Sequence, residues 1–100
     1  MDEYFDVIPD YPAYSISNLG NVRRDWPAPG CKVGHILKPH ITNKGYLRVR
    51  LSLGARNKFV RPMIHQLIAI TFLGPKPEGM EVNHKDGNRL NNEISNLEYL

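Results

Sequence analysis

The 100 residues carry 41% hydrophobic and 23% charged side chains, a balance suited to one compact domain or to two small units that lean on each other. No apolar stretch approaches the roughly 18 residues of a membrane span, and the acidic start MDEYFD is unlike a secretory signal. The single cysteine, Cys31, excludes an internal disulfide and a multi-cysteine zinc site, so a reducing, cytoplasmic location is expected and Cys31 reads as a partly exposed thiol.

The net charge of +3 hides a segregation along the chain. Residues 1–20 hold four acids and no bases, residues 21–62 hold ten Lys/Arg against Asp25 alone, and residues 63–100 hold three bases and five acids. A basic block of this kind is either a face for a polyanion or a solvated basic surface, and charge by itself supports both.

Residues 1–12 mix aromatic, acidic and proline residues, which predicts short extended pieces broken by turns. In YSISNLGNVRRD, Tyr14, Ile16 and Val22 alternate as in a strand, and SNLGN supplies a tight turn. Two prolines and two glycines make residues 26–34 a loop, and HILKPHI is a further extended piece closed by TNKG. YLRVRLSL, residues 46–53, shows a period of two over eight residues, with Leu47, Val49, Leu51 and Leu53 on one face and Tyr46, Arg48, Arg50 and Ser52 on the other. GARNK then turns the chain and FVRPMI returns as the antiparallel partner, with Pro62 at its end or on a free edge. In IHQLIAITF, residues 64–72, Ile64, Leu67, Ile68 and Phe72 fall at helical spacing, and Gly74 and Pro75 stop the helix. Short extended segments at MEVNH and SNLEYL flank a turn-rich connection. The aromatic residues Tyr4, Phe5, Tyr11, Tyr14, Trp26, Phe59 and Phe72 are expected in or at the rim of the core.

The stretch EVNHKDGNRLNNEISNL gathers five asparagines around His84. An imidazole with an ordinary pKa of about 6.5 can take a proton from water near neutral pH. Asn83 offers a hard, neutral oxygen of the sort Mg²⁺ or Mn²⁺ accepts, but it shares a site with His84 only if the chain turns at once, as KDG permits. Asn91, Asn92 and Asn96 suit hydrogen bonds that hold a loop. On these grounds a lone histidine in such a loop is more often structural or merely exposed than catalytic.

VNHKDGNRLNNEISNLEYL resembles the first part of an HNH endonuclease motif of the ββα-metal type, and IHQLIAITFLGPKPEGMEV resembles the lead-in of phage and intron-type members. FDVIPDYPAYSISNLGNVRR through GHILKPHITNKGYLRVRL resembles the nuclease-associated modular domain that often precedes that motif. The resemblance implies an α+β fold, with an antiparallel β domain over residues 1–62 and a short helix and ββα-metal module over 63–100. It also implies an Mg²⁺- or Mn²⁺-dependent nuclease that hydrolyses phosphodiester bonds of double-stranded DNA, with no small-molecule cofactor and no membrane. Position by position, it makes His84 the general base, Asn83 a metal ligand, Asn96 the residue that holds the histidine-bearing loop, and His65 a site-adjacent or phosphate-contacting residue. A third motif residue, a His or Asn on a following helix, has no counterpart before Leu100, which reads as a truncated nuclease or an incomplete metal site.

With that resemblance, the basic block becomes a DNA reader. Arg48 and Arg50 on one strand face, beside Tyr46, are expected along a groove, and Arg23, Arg24, Lys44, Arg56, Lys58 and Arg61 are expected at phosphates. An exposed strand face that keeps a sheet edge soluble is the plainer alternative. Two further readings stay open: an inactive DNA-binding protein that kept the reader, and an assembly protein that uses the fold as an interaction module.

Overall fold

Strands β1 (Phe5–Ile8), β2 (Tyr11–Ser17) and β3 (Val22–Arg24) form an antiparallel sheet in the order β1-β2-β3 in the computed structural model, which describes residues 2–27, 32–55 and 57–100. The alternation of Tyr14 and Ile16 drives this sheet, since both side chains are buried and pair with Arg24 and Val22 across the strands. Ser15 and Ser17 are buried too, because their hydroxyls donate to Asp25 and Glu3. The turn after β2 is closed by Ser17 N–H to Asn21 O (2.9 Å) and Gly20 N–H to Ser17 O (3.0 Å).

A basic ribbon follows, built from β4 (His40–Ile41), β5 (Leu47–Arg48), β6 (Leu51–Ser52) and β7 (Phe59–Val60). The expected eight-residue strand YLRVRLSL is divided in two. β5 pairs backward with β4 and β6 forward with β7, and Arg48 also bridges Met63 in the register of the β6–β7 pair. At the break, Val49 N–H donates to Pro62 O (3.2 Å), and Pro62 has no N–H with which to continue the ladder. Val49 and Leu51 are buried as their alternation predicts, but Leu53, past the last ladder pair, is 48% exposed.

Helix α1 spans Ile64–Phe72, the nine residues read from the apolar spacing. Leu73 N–H donates to Ala69 O (2.8 Å), and Gly74 then takes φ +86°, a conformation that glycine adopts without a Cβ clash. Strands β8 (Val82–His84) and β9 (Leu97–Tyr99) pair antiparallel, with a 3-10 turn at Ile94–Asn96 leading into β9. The described residues therefore make a mixed fold, mostly antiparallel strands with one helix.

One apolar cluster joins these pieces. It takes Ile8 and Ile16 from the sheet, Val49 and Leu51 from the ribbon, Ile64 and Ile68 from α1, and Leu97 from β9. Burying each such side chain contributes about 1.5–3 kcal/mol. Residues on both sides of position 62 thus fill one core.

Three aromatic residues depart from the expected core placement. Tyr4 is 54% exposed, Trp26 55% and Phe59 38%, while Tyr14 is buried and Phe5, Tyr11 and Phe72 are half-buried. Tyr4 lies ahead of the first strand and meets Phe72 edge-on at 5.7 Å. Phe59 lies on the short strand β7, under the guanidinium of Arg50 at 3.5 Å. Trp26 follows the end of β3, where its carbonyl accepts from Arg24. Cys31, Arg56 and the loop segment 28–31 lie outside the described residues.

Candidate active site

His84 closes β8 opposite Leu97, and the chain turns immediately, with Gly87 N–H donating to His84 O at 2.9 Å. Its ring is buried against Asn92, with Nε2 2.8 Å from Asn92 Oδ1. An amide oxygen can only accept, and in the tautomer that donates from Nε2 to it, Nδ1 is the nitrogen that keeps the lone pair. Asn92 is itself 4% exposed, and its Nδ2 is buried without a partner.

The turn after His84 is held almost wholly by amide and carboxylate side chains. Asn96 Nδ2 donates to Asp86 Oδ1 (2.9 Å) and to Asn91 O (2.9 Å), and Asn96 Oδ1 accepts from Asp86 N–H (3.1 Å). Asn96 O also accepts from Lys85 N–H at 2.8 Å. Asp86 receives Asn91 Nδ2 (2.9 Å) and Asn88 N–H (2.7 Å) as well, and these donors, Asn91 foremost, hold its carboxyl below the usual range. Each such bond contributes about 0.5–1.5 kcal/mol net, so the set can fix a loop that has few apolar residues of its own.

Three rings gather beside this loop. The His65 ring, from α1, lies 5.2 Å from that of His84, and Tyr46 lies 4.9 Å from His65 and 6.2 Å from His84. Arg89 places its guanidinium 4.7 Å over Tyr46 and donates to Lys44 O at 2.5 Å, tying the histidine-bearing loop to the basic ribbon. Burial, and secondarily the neighbouring His84, pushes the His65 imidazole down to about 4, so it is neutral at physiological pH. Its Nδ1 is buried without a partner. Tyr46 and His65 also line a groove of about 1040 Å³, shared with Lys44, Arg48, Gln66 and Tyr99.

Asn83 lies one residue before His84, at the end of β8 where the chain turns at once, and faces Glu98 across the β8–β9 ribbon. Asn83 Nδ2 donates to Glu98 Oε2 at 2.9 Å, which leaves the Asn83 Oδ1 and a Glu98 oxygen at this cross-strand pair. Among the described residues, no three His, Cys, Asp or Glu side chains converge as a metal cage. An amide oxygen beside a carboxylate is a partial hard-oxygen set, which fits a cation that keeps several waters, such as Mg²⁺ or Mn²⁺.

The basic side chains divide into two groups. Lys44, Arg48, Arg50, Lys58 and Arg61 are exposed. Arg23 is half-buried, bonded to Asp25 (2.9 Å) and stacked on Phe5 (4.2 Å). Arg24 is turned inward at 4% exposure, where Nη1 donates to Tyr14 Oη (2.7 Å) and Nε to Trp26 O (2.5 Å). Arg56 lies outside the described residues. Sequence reading placed Asn92 among the loop-holding amides and gave Arg89 and Glu98 no site role. The lone arginine inside the asparagine-rich loop is the signal the sequence offers, whereas the register of Asn83 with Glu98 appears only in the fold.

Comparison with known proteins points in one direction. A family model described as HNH endonuclease matches residues 63–100, and one described as the NUMOD4 motif matches residues 3–52. DNA endonuclease I-HmuI of Bacillus phage SP01 is 38% identical over 87 residues, covering 87% of this chain and 45% of that protein. H-N-H endonuclease F-TflII of Escherichia phage T5 is 36% identical over 97 residues, covering 95% of this chain and 46% of that protein. A solved structure of I-HmuI, described as DNA binding and cleavage by the HNH homing endonuclease, superposes with a TM-score of 0.80 at 36% identity, over 97% of this chain and 52% of the other. The chain spans about half the length of these relatives.

Proposed function

The chain belongs to the HNH endonucleases and carries the NUMOD4 motif at its N-terminal side, and from that premise we propose that it hydrolyses phosphodiester bonds of double-stranded DNA with His84 as general base. The observation that carries this reading is the His84 ring, buried and bonded through Nε2 to Asn92, with Nδ1 left as the basic nitrogen. In the proposed step, Nδ1 takes a proton from water. The resulting hydroxide attacks phosphorus, and the 3′ oxygen leaves with the electron pair of the broken bond and takes a proton from solvent. Base catalysis of this kind is worth roughly 10²–10⁴-fold.

HNH endonucleases are generally metal-dependent. In this chain Asn83 and Glu98 are the residues that would hold Mg²⁺ or Mn²⁺, which when bound supplies charge stabilisation at the phosphate. Asn96 keeps its place as the loop holder, supported by its three side-chain bonds to Asp86 and Asn91. His65, neutral beside His84, serves the site as an uncharged neighbour that leaves the base free of a second positive charge.

DNA contact is assigned to the exposed cations of the ribbon: Lys44, Arg48, Arg50, Lys58 and Arg61. Arg48 also lines the groove that reaches His65, which supports a strand path from the reader to the base. Residues 1–62 then serve mainly as reader and residues 63–100 as nuclease. Plasmid cleavage with Mg²⁺ or Mn²⁺, wild type against His84→Ala, tests the reading. Loss of cleavage with DNA binding retained supports it, and equal cleavage by the two proteins overturns it.

A further inference from the structure

Seven glycines of the described chain have positive φ, and six of them have open space where a Cβ would stand. Gly20 is the exception. With φ +96°, it lies against the asparagine-rich loop, where an added Cβ would be in ordinary van der Waals contact, 3.4 Å from Asn92 Cβ, 3.6 Å from Asn92 O and 3.5 Å from Ile68 Cδ1. Two residues earlier, Asn18 O accepts from Ile94 N–H at 2.9 Å. The turn after β2 therefore grips the stretch 92–94 at two points, and that stretch begins with the side chain bonded to His84 Nε2.

The turn is itself unusually well specified. Asn18 is 2% exposed, its Oδ1 accepts Tyr4 N–H (2.8 Å) and its Nδ2 donates to Asp2 O (3.0 Å). Ser17 Oγ accepts Leu19 N–H (3.2 Å) and Asn21 N–H (3.1 Å) while donating to Glu3 (2.7 Å). This well-bonded turn lies against the residue that holds the imidazole.

We infer that the turn Asn18–Gly20 is a positioning element of the nuclease centre: it seats Asn92, and Asn92 in turn fixes the ring of His84. The inference rests on the proposed role of His84. Asn92 touches no reacting atom in this scheme and is a positioning residue, and Gly20 acts through it. The N-terminal segment thus has two jobs, contacting DNA through the ribbon and aligning the base through the turn. Misplacing a reacting group by about 1 Å can cost around a hundredfold in rate, so a small shift of the turn that packs on Asn92 is enough to be read.

The test compares Gly20→Ala with Gly79→Ala in the full chain. Both positions have positive φ, so alanine strains and shifts the turn in each, but only the turn at Gly20 packs on Asn92, whereas a Cβ at Gly79 meets nothing within 4 Å. Asn92→Leu and Asn92→Asp complete the set, the second keeping an acceptor for Nε2–H. Two readouts are used: the slowly exchanging His84 Nε2–H resonance in the NMR spectrum at fixed pH, and kcat against KM for plasmid DNA. The inference expects Gly20→Ala and Asn92→Leu to lose the resonance and to lower kcat about tenfold or more at unchanged KM. Asn92→Asp should retain the resonance, and Gly79→Ala should match wild type in both readouts. A resonance that survives in Gly20→Ala, or a loss confined to KM, overturns it. Should wild type cleave nothing, the functional reading fails by itself, and the resonance in Gly20→Ala still decides whether the turn seats the ring.

Discussion

The basic ribbon and the asparagine-rich loop are both short of regular structure, yet they are held in different ways. The ribbon's pairs are only two residues long, and its cations Arg48, Arg50, Lys58 and Arg61 stand in solvent. The loop from Lys85 to Asn96 has scarcely more secondary structure, but Asp86, Asn91, Asn92 and Asn96 bind one another, the backbone and His84. The difference follows from the task proposed for each. A surface that meets phosphates needs charge and tolerates side-chain freedom, whereas a base must present one nitrogen in one direction.

Four experiments break or sharpen that contrast. The largest effect is expected from His84→Ala, which should reduce cleavage by roughly 10²–10⁴-fold while DNA affinity, measured by electrophoretic shift, stays near wild type. Asn96→Ala should come next. It removes three side-chain bonds from a buried position and strands their partners, for about 2–3 kcal/mol and a fall in Tm of roughly 10 °C or more by calorimetry.

The third concerns pH. Because burial holds the His65 pKa near 4, the unfolded chain binds this proton between about pH 6.5 and 4 while the folded chain does not. Its contribution to stability is therefore complete above about pH 6.5 and falls as the pH drops toward 4, by on the order of 2 kcal/mol. Denaturant midpoints measured from pH 4 to 7 should show this slope, and His65→Phe should flatten it. If the slope survives the substitution, His65 is not its source. The smallest effect is expected for Arg48→Ala with Arg50→Ala. Affinity should fall about tenfold and the salt dependence of binding should lose about two units of slope, with kcat at saturating DNA unchanged.

Much of the local structure was legible in the residues. Ile64, Leu67, Ile68 and Phe72 at helical spacing, followed by Gly74 and Pro75, mark a helix that the structure bounds at the same two residues. Tyr14 and Ile16 announce the inner face of β2. The break in YLRVRLSL was not legible, because it depends on Pro62, thirteen residues past Val49 in the chain and adjacent to it only after folding. Nor was the inward turn of Arg24, whose neighbours in sequence are as polar as those of the exposed arginines; Tyr14 Oη, supplied across the sheet, draws it in.

The sequence by itself determined which chemistry is available here: an imidazole, amides and carboxylates in one loop, a basic stretch ahead of it, and a family pattern linking them. Tertiary structure alone decided which atoms face one another. Asn92 reaches Nε2 of His84, Tyr46 lies against His65, and Gly20 packs against Asn92 from far along the chain. The physical reason is range. Helix and turn preferences arise among residues within a few positions of each other, while the orientation of a buried ring is set by whichever distant groups the core brings within hydrogen-bonding distance.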